Sequence, residues 1–189
     1  MAPWSGITAD EMRLLETTFW SAGGSRHAMA EQLGFSKSKA NALIAGLVDQ
    51  GLLAEAGLQR SSGGRRAENL QLHASLGVLI GIDIGATSLD VAVLRPDLSV
   101  LVQHDEPADV REGPAVVLAR VRVLMRELLA RCGHTAKDVI GIGIGVPGPV
   151  NFEIGQLVNP PLMPAWDSFS IRDYLREDYA APVFVDNDV

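Results

Sequence analysis

The sequence predicts a two-part chain: a small α+β head, then a larger α/β body built on a mixed sheet. Three observations carry this. The first seventy residues hold three helix-start signals, followed by two short apolar runs separated by a Ser/Gly/Arg-rich tip. From residue 76 onward three apolar runs follow closely, then alternate with amphipathic stretches. That order, three strands and then helix–strand–helix–strand, gives a mixed sheet with helices covering it. The charge changes with the pattern: residues 1–72 carry seven Lys/Arg and seven Asp/Glu, whereas residues 73–189 carry nine and sixteen, the whole of the net −7. Within the first part, residues 25–66 hold six basic groups and three acidic ones, and a locally basic segment joined to an acidic body is expected to serve two different partners.

In the head, Thr8 and Glu11 form a T-x-x-E capping box, and "MRLLETTFW" continues at helical spacing to a stop at Gly23-Gly24. A second helix starts at Ser25 with "RHAMAEQL" and ends at Gly34. Ser36 caps a third, "KSKANALIAGLVDQ", which ends at Gly51. Small Ala30 and Ala40 let the second and third helices cross closely, Gly34 permits the tight turn, and Met29, Leu33 and Leu43 are expected to fill the wedge. Two short helices so joined make a helix-turn-helix. The first turn of the third helix would then face DNA with Ser36, Lys37, Ser38, Lys39 and Asn41, hydroxyls and ammoniums suiting phosphates and the Asn41 amide a base edge. "LLAEAGLQRSSGGRRAENLQL" reads as strand, tip and return strand, a wing with Arg65 and Arg66 placed to enter a narrow minor groove. The alternative is a three-helix module that binds protein.

His73-Ala74-Ser75 makes a short junction between a domain of residues 1–72 and one of residues 76–189. In the second, "GVLIGIDIG", "LDVAVL" and "SVLVQHDE" are strands, turned by Gly85–Thr87 and by Arg95-Pro96-Asp97. "GPAVVLARVRVLMRELLARCG" is a long amphipathic helix, and "DVIGIGIGVPGPV" a buried strand running into a Gly-Pro loop. A small hairpin near Glu153–Gly155, the loop "NPPLMPAWDSF", a helix near "IRDYLREDY" and a last strand "PVFVD" complete the chain.

Four stretches, "GIDIGATSLDVAVL", "GIGIGVPGPV", "NPPLMPAW" and "VFVDNDV", in this order behind a winged helix, closely resemble the ROK family of repressors, open reading frames and sugar kinases. The resemblance implies an actin-like (ribonuclease H-like) ATPase fold, with residues 76–189 as its first lobe. The C-terminal lobe, a structural zinc site and most of the nucleotide pocket would lie beyond this chain, which so reads as truncated. It further implies that Asp188 matches the catalytic aspartate of the kinases, and that Gly148, Asn159 and Asn187 shape a sugar site with it. Asp83, Gly85 and Thr87 match the loop that holds phosphate and hydrated magnesium. Two departures stand against turnover: family kinases usually carry Gly-Gly-Thr-Lys where this chain has Gly85-Ala86-Thr87-Ser88. A methyl at Ala86 restricts the close backbone approach that glycine permits, and Ser88 removes a positive charge. Two functions therefore remain: a sugar-responsive regulator, most simply a dimeric repressor on operator DNA, or an ATP- and magnesium-dependent sugar kinase with an N-terminal extension.

Other chemistry finds little support. The four histidines, His27, His73, His104 and His134, lack metal spacing. The lone Cys132 excludes a disulfide within the chain, and Trp166 resembles the family's loop tryptophan beside the sugar site, although core packing explains it equally well. "MAPWSGITADEMRLL" lacks the basic start and apolar run of a signal peptide, and no run approaches the ~18 apolar residues of a membrane helix. A soluble, cytoplasmic protein is the expectation.

Overall fold

The computed structural model describes residues 6–21, 23–58 and 68–188. It divides into two compact units, Met1–Leu76 and Gly77–Val189.

The first unit begins with α1 (Ala9–Trp20), α2 (Arg26–Leu33) and α3 (Lys37–Asp49). Each starts where a side-chain oxygen meets the orphan N–H groups of a first turn. Thr8 and Glu11 form the reciprocal capping box on α1, Ser25 accepts from Ala28 N, and Ser36 accepts from Lys39 N. Gly34 ends α2 at φ 68°, a left-handed value that glycine reaches without steric cost, and the chain turns there into α3. Strands β1 (Leu53–Leu58) and β2 (Glu68–Leu72) then pair antiparallel. Ala30 and Ala40 are buried. Around them Leu14, Met29, Ile44, Leu47, Leu53 and Leu70, each at most 1% exposed, form the core. Burial of each large apolar side chain contributes about 1.5–3 kcal/mol. Leu33 and Leu43 lie at the margin rather than the centre. The expected junction is itself folded: Ala74–Leu76 makes a 3₁₀ turn, and His73 N donates to Leu52 O at 3.0 Å.

The second unit is a five-stranded sheet in the order β5-β4-β3-β6-β9, with a two-stranded hairpin, β7-β8, beside it. Strands β3 (Val78–Ile84), β4 (Ser88–Leu94) and β5 (Val100–Pro107) form an antiparallel meander. Helix α4 (Pro114–Arg131) then crosses over, so that β6 (Val139–Val146) joins β3 in parallel. The hairpin of β7 (Val150–Asn151) and β8 (Gln156–Leu157) and helix α5 (Ile171–Arg176) lead to β9 (Val183–Asn187), parallel to β6. The sheet is therefore mixed, because a two-turn meander gives antiparallel neighbours and each helical crossover a parallel one. One face carries Val78, Ile80, Ile82, Ile84, Leu89, Val91 and Val93. These pack with Val117, Leu118, Val121, Leu124 and Leu128 of α4, which recur at helical spacing.

Candidate functional site

On the other face of this sheet, toward the C-terminal ends of β3 and β6, the central side chains are small or acidic. The ladder places Asp90 opposite Asp105 and opposite Asp83, Asp83 opposite Gly145, and Gly145 opposite Asp186. One row of residues across all five strands therefore reads Asp105, Asp90, Asp83, Gly145, Asp186. The next row, Gln103, Ala92, Gly81, Gly143 and Phe184, is small at its three central positions and larger at both ends. A depression of about 320 Å³ opens here, lined by Gly81, Asp83, Asp90, Ala92, Gln103 and Asp105 among others.

Asp188 comes to this row from beyond β9, its N–H on Val146 O at 3.2 Å. A Cβ at Gly145 would lie 3.3 Å from Asp83 Oδ1 and 3.4 Å from Asp188 Cβ, so the glycine is what allows the two carboxylates to flank one point of β6. Burial, followed by the like charges of Asp188 and Asp90, pushes the Asp83 carboxyl above its usual range. A cation would relieve that repulsion, and the carboxylate donors fit a hard, hydrated one. Among the described residues, no three His, Cys, Asp or Glu side chains are grouped to hold a metal directly, so such a cation would keep most of its water. Gly85, Ala86 and Thr87 form the turn between β3 and β4. Its carbonyls are used by the chain itself: Thr87 O accepts from Ala108 N at 3.1 Å and Ala86 O from Val110 N at 3.4 Å.

Gly148 stands beside Asp188, since its N–H donates at 2.9 Å to the same Val146 O that takes the Asp188 N–H. A Cβ at Gly148 would stand 3.0 Å from Pro160 Cβ, so the Gly-Pro loop and the Asn-Pro-Pro loop touch. Asn159 has φ 45°, unusual outside glycine, and its N–H donates to Asp167 Oδ1 at 2.7 Å. Asn159, Pro160, Pro161, Pro164 and Asp167 line a second depression of about 340 Å³, whose lining shares no residue with the first. Trp166 closes the floor of this loop: it is wholly buried, and its indole N–H donates to Val110 O at 2.8 Å. The β7–β8 hairpin is pinned by Arg172, whose guanidinium donates to Val183 O at 3.0 Å, to Phe152 O at 2.8 Å and to Glu153 O. Phe152 stacks on Phe184 of β9, with ring centroids 6.3 Å apart.

In the first unit, Lys37, Ser38 and Asn41 are exposed on the first turn of α3. Lys39 is exposed too, but its Nζ lies 2.6 Å from Asp10 Oδ2. Arg65 and Arg66, expected on the tip between β1 and β2, lie outside the described residues. His104 lies within β5, its Nε2 2.8 Å from Glu106. Cys132 caps α4, its sulfur 3.2 Å from Leu128 O.

Residues 79–189 match the ROK family, and the chain belongs to that family. It is 27% identical over 164 residues to the xylose repressor of Caldicellulosiruptor bescii, an alignment covering 87% of this chain and 41% of that protein. It is 28% identical over 109 residues to a glucokinase of Halalkalibacterium halodurans, covering 58% of this chain and 33% of the enzyme. The fold is similar to that of a ROK family transcriptional regulator homologous to the E. coli MLC protein, with TM-score 0.62 and 22% identity, over 94% of this chain and 46% of that one. The chain thus spans less than half the length of each of these proteins. Among the described residues no helix is long and apolar enough to cross a membrane.

Proposed function

We infer that the protein is a sugar-responsive transcriptional regulator, a repressor of carbohydrate-utilisation genes. The observation that carries this is the first unit: α2, the turn at Gly34 and α3 present Lys37, Ser38 and Asn41 on an exposed helical turn, with a β-ribbon following. We read it as a winged helix-turn-helix. The alignment with the xylose repressor runs over 164 residues, whereas that with the glucokinase takes in 109. That difference supports a head shared with regulators. The recognition helix α3 enters the major groove, and two copies of the chain bind paired half-sites, because one helix alone contacts few base pairs.

In the second unit a sugar would bind through Gly148, Asn159, Asn187 and Asp188. Inward amides and carboxylates suit the hydroxyls of such a ligand. The sugar releases DNA only to the extent that it binds the released form more tightly. Asp83 at the end of β3, with Gly85 and Thr87 of the turn that follows, is then an inherited phosphate loop. A kinase is the second reading, favoured by Asp83 and Asp188 flanking Gly145. Magnesium-ATP belongs to that reading alone, with Asp83 toward the hydrated metal and Asp188 as base to the sugar hydroxyl.

The test is a titration of the protein against DNA from upstream of its own gene, across a salt series and a panel of sugars. Salt-dependent binding that one sugar weakens is expected. In Asp188→Asn the DNA affinity should persist while the response to that sugar falls. Sugar-dependent ATP consumption that Asp188→Asn abolishes, with no DNA binding above background, would establish the kinase instead.

A further inference from the structure

The head contains a charged cluster that the groove contact does not account for. Lys39 stands on the first turn of α3, yet its ammonium is held by the first turn of α1, 2.6 Å from Asp10 Oδ2. The same ammonium lies 4.4 Å from the centre of the Phe35 ring. Arg13 approaches that ring to 5.3 Å, lies 3.8 Å from Asp10 Oδ1, and donates to Leu33 O at 3.4 Å. One carboxylate thus faces two cations around an aromatic ring, at the end of the helix read as entering the groove.

A carboxylate and a DNA phosphate offer an ammonium the same kind of acceptor. The Lys39 and Asp10 side chains are 46% and 39% exposed, so a phosphate can reach the same ammonium and must compete with Asp10 for it. Phe35 has no charge to lose, so it holds the ammonium in place whichever anion it faces.

We propose that Asp10 is an intramolecular counterion that competes with a backbone phosphate for Lys39. Asp10 thereby sets the affinity and salt dependence of DNA binding without touching DNA. The proposal rests on the DNA-binding reading of the head. While Asp10 holds Lys39, the lysine neutralises no phosphate and displaces no cation from the DNA, and the complex counts one phosphate contact fewer than its exposed cations suggest. The cap of α1 uses Thr8 and Glu11, not Asp10, so Asp10→Asn keeps the helix start intact.

Phosphate contacts do not depend on sequence, so a fluorescein-labelled random-sequence duplex is a sufficient probe. Its binding to the full chain is followed by anisotropy over a salt series for the wild type, Asp10→Asn, Lys39→Gln and the double variant. Freeing Lys39 in Asp10→Asn should steepen the slope of log affinity against log salt by about 0.9, and tighten binding roughly eightfold near about 0.1 M salt. In the Lys39→Gln background, Asp10→Asn should leave the slope unchanged. An equal steepening in both backgrounds would mean that Asp10 acts only as a diffuse negative charge, and would overturn the proposal. Salt-dependent binding by the wild type with no change in Asp10→Asn would overturn it while leaving the DNA-binding reading intact. A wild type that binds no duplex at any salt removes both.

Discussion

Asp83 faces a carboxylate on either side: Asp90 directly opposite on β4, and Asp188 across Gly145. Like charges directly opposite in a sheet cost roughly 0.2–1 kcal/mol; burial first, and then these two charges, raise the Asp83 carboxyl. Its folded-state value lies above the ordinary 3.8, so the folded protein binds this proton more tightly than the unfolded chain. The penalty is absent at pH below about 3.8 and grows as pH rises through the raised value. Asp83→Asn is therefore expected to raise the melting temperature at neutral pH, by a stabilisation of about 0.2–1 kcal/mol, and to give no gain at pH 3. A melting curve at each pH checks this. Asp83 and Asp188 were legible from the sequence because they sit in recognisable stretches. Asp90, Asp105 and Asp186 were not, although strand alternation puts Asp83, Asp90 and Asp105 at positions of the same kind. Only the register of β3, β4 and β5 turns that periodicity into a row.

Among the elements, the edge strand β5 is tied to α4 by Glu106, whose carboxylate takes Arg120 Nε at 2.7 Å and a terminal nitrogen at 2.6 Å. The bidentate Arg120 bond and, against burial, the contact with His104 hold the Glu106 carboxyl at about 2. Because the folded value is depressed, this pair stabilises the protein above the ordinary 4.5 and ceases to do so as pH falls through about 2. Glu106→Gln should lose about 1 kcal/mol or less at neutral pH, the pair being partly open to solvent. The deficit should vanish by about pH 2 in acid unfolding followed by circular dichroism. At this scale the sequence was most readable where a cap or a turn residue fixed a boundary. Ser25, Ser36 and Gly34 delimit α2 and α3 as their side chains and backbone freedom require. α1 was harder: its helical pattern runs on toward Gly23, yet the helix stops at Trp20, with the Ser21 hydroxyl donating to the Thr17 carbonyl. The 3₁₀ turns at Val110–Glu112 and Pro164–Trp166 also went unseen: Asp109 caps the first and Pro164 opens the second, but turns of three residues leave no periodicity to read. Nor could apolar spacing say that Ile44 and Leu47 fill the head's core while Leu33 and Leu43 only border it. Periodicity marks a face, not its centre.

At the scale of the whole molecule, each unit has its own apolar core: one about Leu14, Ile44 and Leu53, the other about the sheet and α4. Cores that share no residue need not unfold together. Two calorimetric transitions are expected, and Leu47→Ala, which empties a wholly buried site of the first unit, should lower only one of them, at a cost of about 2–5 kcal/mol. A single transition displaced as a whole would show the units to be coupled. The burial of Trp166 supplies an optical handle on the same question. Its indole is sealed from water and hydrogen-bonded to Val110, whereas Trp20 in the head is 81% exposed. In a Trp4→Phe background the two indoles should emit at different wavelengths, blue-shifted and shielded from acrylamide for Trp166, red-shifted and readily quenched for Trp20. Because Trp20 is solvent-exposed before any unfolding, a red shift of the emission would report the opening of the second unit alone.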